Sequence, residues 1–191
     1  MEETYEKILK AAFIVFSKEG YQKASVNKII KAAGVSKGAL YHYFKSKEEL
    51  YLQVIEFYFR AMIEEIKKVD FSDIEILKEM GLINIKNYRR NQNTQKFTID
   101  FFLQAMLNKK VRKKMNEYLN IFIQILKEKL ESEKQKNIIK KDVDTGILAQ
   151  KIFIMLDSLG MYISLETEVI EPEKIWIDFI ENNILKCYTE G

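Results

Sequence analysis

A single cysteine, Cys187, among 191 residues rules out an intrachain disulfide, and a chain without one reads as an intracellular, cytoplasmic protein. The opening MEETYEKILKAAF carries acids where a secretory signal would carry bases, in keeping with that reading. No run approaches about 18 uninterrupted apolar residues, so no membrane span is expected. The only histidine, His42, cannot alone build a zinc site or a Ser-His-Asp relay, since both need partners that the chain does not offer at recognisable spacing. Glycine-rich phosphate loops, nucleophile elbows and paired acidic motifs are missing too, so no catalysis, metal or cofactor is expected. One proline and seven glycines leave little to break a helix.

What is present is a 3.6-residue apolar period along nearly the whole chain, and the fold expected from it is all-α. Charge is unevenly spread. Residues 1–47 carry nine lysines against Glu2, Glu3, Glu6 and Glu19, a balance of +5, while the remainder balances at −2 and the whole at +3. Between Gly20 and Lys47 stand Lys23, Lys28, Lys31, Lys37, Lys45 and Lys47 with no acid among them, the pattern of a surface that meets a polyanion.

The same stretch has a readable local geometry. Ser25 suits an N-cap, and Val26, Ile29, Ile30 and Ala33 fall on one helical face. Gly34 can turn with positive φ, Val35 tucks inward, and Ser36 caps a second short helix through Leu40, Tyr41 and Phe44. Two short helices around such a turn make a helix-turn-helix over residues 25–44. Lys37, Gly38, Ala39 and Tyr43 lie at the N-terminal and groove-facing positions of its second helix. Gly38 and Ala39 are small enough for close approach to base edges, and Ala39 is placed to touch a thymine methyl.

AAFIVFSKEGYQKASVNKIIKAAGVSKGALYHYFKSKEELY resembles the N-terminal domain of TetR-family transcriptional regulators, from about Ile8 to about Leu52. The apolar helix ending at Gly20 and Tyr21, the Ser25 and Val26 pair, AAGVSKGALYHYF and SKEEL match in order. Ile30 departs, standing where helix-turn-helix proteins usually have alanine, so a slightly wider helix crossing is expected. The resemblance implies a DNA-binding domain at 1–47 and a helical effector-binding and dimerisation domain at 48–191. It further implies that Asn27 reaches a base edge while Ser25, Ser36, Tyr41, His42 and Lys47 hold phosphates. Lys47 also opens the next helix, whose free N–H groups favour an anion.

Behind this front end, helices are expected at about 2–18, 46–68, 72–90, 97–107, 111–133, 142–165 and 172–189. Capping boxes Ser46 with Glu49 and Ser72 with Glu75 open two of them, residues 91–94 form a polar break, and Pro172 suits a first helical position. The 143–165 helix is apolar on nearly all sides and must be covered on more than one face. Its simplest cover is a second copy of the last two helices across a two-fold axis, with monomeric packing as the alternative. The resemblance implies the former, a homodimer with Ile152, Leu156, Leu159, Ile163, Trp176, Ile180 and Ile184 at the interface. Phe57, Met62, Tyr88, Phe97, Phe101, Met106, Tyr118, Phe122 and Met155 form either a packed core or the lining of a cavity for a mostly apolar small molecule. The resemblance favours the cavity. Asp100 and Asp157, isolated acids on apolar helices, are partners of a tyrosine or backbone group, or else polar anchors for a ligand. Cys187 reads as a small core residue.

The expected function is a dimeric repressor on double-stranded operator DNA, released by a small hydrophobic effector, with no membrane partner. An effector-independent architectural DNA-binding protein and a carrier of lipid-like ligands are the readings from other classes.

Overall fold

The computed structural model describes residues 2–189. Among them lie nine α-helices and no strand: α1 (Glu2–Lys23), α2 (Val26–Ala33), α3 (Lys37–Tyr43), α4 (Lys47–Ile66), α5 (Ile74–Arg90), α6 (Gln92–Leu107), α7 (Lys109–Gln135), α8 (Thr145–Ser164) and α9 (Pro172–Phe179). A π-helical turn, Ile180–Ile184, and a 3-10 turn, Leu185–Cys187, follow α9. The fold is all-α, as the periodicity indicated.

The chain falls into two compact units, and the division is not at residue 47. The first unit runs through Met62 and takes in Gln92–Asn116; the second comprises Ile63–Asn91 and the chain from Glu117 onward. The front unit is larger than a helix-turn-helix with one supporting helix because α6 packs along α1. Its interior holds Ile8, Ala12 and Phe16 of α1, Ile29 of α2, Leu40 and Phe44 around α3, Leu50, Tyr51, Val54 and Ile55 of α4, and Phe97 and Phe101 of α6.

The second unit is built on α5, α8 and the segment from α9 onward, with Leu77, Ile85, Leu126, Leu130, Leu148, Ile152, Leu159, Trp176, Ile180 and Ile184 in one core. Trp176 is fully buried, and its indole N–H donates to the Lys78 carbonyl at 2.9 Å. Gly81, one turn further along α5, admits the ring: a Cβ there would lie 2.1 Å from Cε2. The end of the chain is stitched in as well. Tyr188 donates its hydroxyl to Phe71 O at 2.8 Å in the interior, Lys140 N bonds Cys187 O at 2.8 Å, and Thr189 N bonds Ile138 O at 2.9 Å.

Two helix starts differ from expectation. The cap of α5 is Asp73, whose side chain accepts from Glu75 N at 2.7 Å, while Ser72 N donates to Asp70. Carboxylate and hydroxyl cap comparably well, so adjacent Ser and Asp leave the register open by one residue. Likewise, only Asn91 breaks the helical path; α6 starts at Gln92, and Gln95 is buried. Glutamine is a good helix former, and polarity alone does not make a break. At α4 the capping is split: Ser46 Oγ accepts from Glu49 N at 3.0 Å, but Glu49 reaches back to Lys45 N at 2.8 Å. By length and composition α8 is the one helix among the described residues able to cross a membrane. Lys151 and Asp157 interrupt it, and its Leu148, Ala149, Ile152, Leu159 and Ile163 pack into the core of the second unit.

Candidate functional site

The helix-turn-helix assembles from short-range bonds that its own residues make. Ser25 Oγ accepts from Lys28 N at 3.3 Å and Ser36 Oγ from Ala39 N at 3.1 Å, capping α2 and α3. Gly34 sits at φ 61°, ψ 37°, and the chain closes with Gly34 N to Lys31 O at 3.2 Å and Val35 N to Ile30 O at 3.3 Å. This pair of bonds is a Schellman motif, which satisfies the last carbonyls of α2. Leu40 and Phe44 point into the core, leaving the opposite face of α3 in solvent.

On that face Lys37, Gly38, Tyr41 and His42 are exposed, and Lys37 Nζ lies 6.0 Å from the Tyr41 ring centroid. Ala39 is half-buried, as is Tyr43, which packs edge-on against Tyr5 at 5.7 Å. Asn27 is exposed on α2. Ile30 is half-buried within the helix pair. Lys28 pairs with Glu19 at 2.8 Å, which offsets part of the basic surface.

Lys47 is placed differently from the expectation. Its ammonium turns inward, donating to the carbonyls of Tyr21 at 2.8 Å, Ala24 at 3.0 Å and Gln22 at 3.3 Å, and it stands 4.6 Å from the Tyr21 ring centroid. An ammonium has three donors, and here all three are used on the α1–α2 connection rather than held out for a phosphate. Lys47→Ala is therefore expected to lower stability by about 1–3 kcal/mol, from losing charge-assisted bonds, while the slope of log K against log salt stays unchanged. A drop of about 0.9 in that slope would return Lys47 to the phosphate contacts.

The same connection is gripped from α6. Both carboxylate oxygens of Asp100 accept from Tyr21 N at 3.1 Å, Oδ2 also accepts the Tyr51 hydroxyl at 2.8 Å, and Gln104 Nε2 donates to Oδ1 at 3.4 Å. Burial, together with the neighbouring carboxylate, holds the Tyr51 hydroxyl protonated far above its usual range. Asp100 is thus the partner of a tyrosine and a backbone amide. At the start of α4, the hydrogen bond from Lys110 lowers the pKa of Glu48.

The N-terminal domain model described as "Bacterial regulatory proteins, tetR family" matches residues 8–54, the segment whose caps, turn and exposed helix face have just been described. Residues 8–54 make a TetR-family N-terminal domain. Among TetR-family and other helix-turn-helix relatives, the fatty acid metabolism regulator protein of Bacillus subtilis is 28% identical over 193 residues, spanning 98% of this chain and 94% of that one. The uncharacterized HTH-type transcriptional regulator YerO of the same organism is 36% identical over 70 residues, and the match spans 37% of this chain but only 24% of YerO. The crystal structure of the transcriptional regulator FadR from Bacillus subtilis, in complex with stearoyl-CoA, is similar with a TM-score of 0.74 and 26% identity over 93% of this chain and 96% of that one.

The residues expected to line a ligand cavity divide between the units. In the first, Phe97 is fully buried at the centre of an aromatic cluster, 5.0 Å from Phe13 and 5.2 Å from Tyr58 between ring centroids. Phe101 is buried beside Phe59 at 5.1 Å, and Phe57 is half-buried. Met62 is 40% exposed and Met106 72% exposed, so Met106 stands at the surface of its unit rather than in an enclosed lining. In the second unit Tyr118 and Phe122 are buried, Phe122 stacks on Phe153 at 6.0 Å, and Met155 packs at the edge of the core. Tyr88 bonds Ser164 Oγ at 2.9 Å and lies against Gly160.

The proposed interface residues need a correction. Ile152, Leu159, Ile163, Trp176, Ile180 and Ile184 are all buried within the single chain, leaving almost no surface for a partner, and Leu156 is half-buried. Apolar side chains left bare on the same two segments are instead Ile147, Ile154, Tyr162 and Leu165 of α8 and its end, and Leu185. A helix apolar all round has two buried faces to assign, and periodicity does not say which meets the subunit's own core. Asp157, on the outer side of α8, has its pKa raised by partial desolvation.

Proposed function

We propose that this TetR-family chain is a dimeric, operator-binding repressor that a long-chain acyl thioester or similarly apolar effector releases from DNA. The observation that carries the DNA-binding half is the solvent face of α3, where Lys37, Gly38, Tyr41 and His42 stand clear of a capped and closed helix-turn-helix. The effector half is supported by the likeness to FadR, whose structure holds stearoyl-CoA, and by the weight of aromatic and Met side chains in the two units. Dimerisation is supported by the bare outer stripe of α8, Ile147, Ile154 and Tyr162, which repeats at helical spacing and which one subunit does not cover. On this reading the protein works in the cytoplasm, beside its operator DNA.

Mechanically, α4 carries Phe57 about 10 residues beyond Lys47, or roughly 15 Å along the axis. A ligand that wedges against the far end tilts the near end. Two recognition helices must sit about 34 Å apart to enter successive major grooves, so a small tilt in each subunit changes a distance that binding demands. Selection from a random duplex pool is expected to return a two-fold symmetric site, and stearoyl-CoA is expected to weaken its binding at least tenfold. Linkage then requires operator DNA to weaken stearoyl-CoA binding by the same factor. Recovery of no fragment even at low salt would favour the ligand-carrier reading. Operator binding indifferent to stearoyl-CoA and to shorter acyl-CoAs would favour the architectural one.

A further inference from the structure

Gly20 interrupts the path of α1 at φ 73°, ψ 160°, a conformation that L side chains rarely adopt. Beyond it the short segment to α2 is held by two charged groups from different helices. Lys47 of α4 takes its carbonyls, and Asp100 of α6 takes the amide of Tyr21. The bare backbone of residue 20 eases that approach: a Cβ there would stand 3.1 Å from Oδ1, a contact that Asp100 would have to yield to by a few tenths of an ångström. Gln104, one turn along α6, adds a 3.3 Å bond from Gln22. The rest of the contact between α1 and α6 includes Phe13 on Phe97, and apolar packing is non-directional. Hydrogen bonds to a carboxylate are short and directional, so they fix position where packing tolerates sliding.

We infer that Asp100 is the positioning residue through which α6 sets the angle of the helix-turn-helix on α1, with Gly20 as the hinge. A shift of α6 draws the Tyr21 amide with it. Because Lys47 binds three carbonyls of the same segment, residues 21–24 turn as one piece and carry α2 and α3 with them. This rests on the DNA-binding reading above, and it gives α6 a route to the recognition helix that does not pass along α4.

The test compares Asp100→Asn and Tyr51→Phe in the full chain by amide hydrogen exchange, thermal melting and binding to the selected operator. Asp100→Asn preserves shape but presents an NH2 group to donors that need an acceptor. Exchange is expected to quicken about tenfold across residues 21–44 while residues 8–16 keep their protection, and operator affinity to fall at least tenfold with every DNA-facing side chain intact. Tyr51→Phe keeps the carboxylate and its bond to Tyr21, so a smaller loss of about threefold is expected. Wild-type exchange over residues 21–44 in both variants would overturn the inference, as would protection lost equally over residues 8–16. Operator affinity unchanged in Asp100→Asn despite faster exchange would also overturn it. If the wild-type chain selects no DNA, the DNA-binding reading falls by itself, while the exchange pattern still decides whether Asp100 holds the segment.

Discussion

Gly81→Ala is expected to lower the melting temperature by about 4–8 °C or more, although alanine is the better helix former. In an open helix the substitution gains about 1 kcal/mol. Here the added methyl would stand 2.1 Å from Cε2, 2.2 Å from Nε1 and 2.4 Å from Cζ2 of a fully buried Trp176. The ring cannot step aside cheaply, because its N–H is tied to Lys78 O. Overpacking of this severity costs about 3 kcal/mol or more, which outweighs the propensity gain. For a chain of this length each kcal/mol moves the melting temperature by about 2–4 °C. Trp176 is the only tryptophan, so its fluorescence reports on the second unit directly. A melt within 2 °C of wild type, with an unshifted emission maximum, would show that α5 and α9 separate more freely than their contact implies.

That contact shows where sequence reading stops. The helix-turn-helix was legible because each of its devices is local: Ser25 caps three residues on, Ser36 likewise, and Gly34 closes bonds to Ile30 and Lys31. Trp176 and Gly81 are almost a hundred residues apart, and nothing in either neighbourhood announces the other. Lys47 failed for the same reason. Its position suited a phosphate, but its partners at Tyr21, Gln22 and Ala24 lie behind it in the chain and decide its direction. Asp100 was narrowed to two roles by its apolar surroundings, and only the fold, by bringing Tyr51 and the Tyr21 amide to it, selects one. Six of the seven residues expected at a dimer interface are instead buried within the single chain. Hydrophobicity marks α8 as doubly covered without ranking its faces.

The bare stripe of α8, proposed above as the dimer surface, makes the second large prediction. Ile154→Glu is expected to give a folded monomer whose operator affinity falls by about 10² to 10⁴, because the second half-site is no longer held at high effective concentration. Ile154 is 61% exposed in the single chain, so a charge there costs the subunit little. Ile180 is 1% exposed, and Ile180→Glu should instead unfold the second unit, since a buried unpaired carboxylate has nothing to compensate it. Sedimentation velocity with far-ultraviolet dichroism separates the two outcomes. A dimeric Ile154→Glu variant would remove the outer stripe of α8 from the interface.

The stitching of Tyr188 to Phe71 bears on how the chain is made as well as how it is held. The first unit has all its helices once residue 116 has been added, but the second closes only when Tyr188 reaches the Phe71 carbonyl and the Ile138–Lys140 segment pairs with residues 187–189. At about 5–20 residues per second, the ribosome takes roughly 4 to 14 s to cover that interval. Throughout it, α5 and then α8 are present without the tryptophan and tyrosine that seal them. The nascent chain thus acquires its DNA-facing half first and exposes its stickiest helix last, shortly before the residues that cover it emerge.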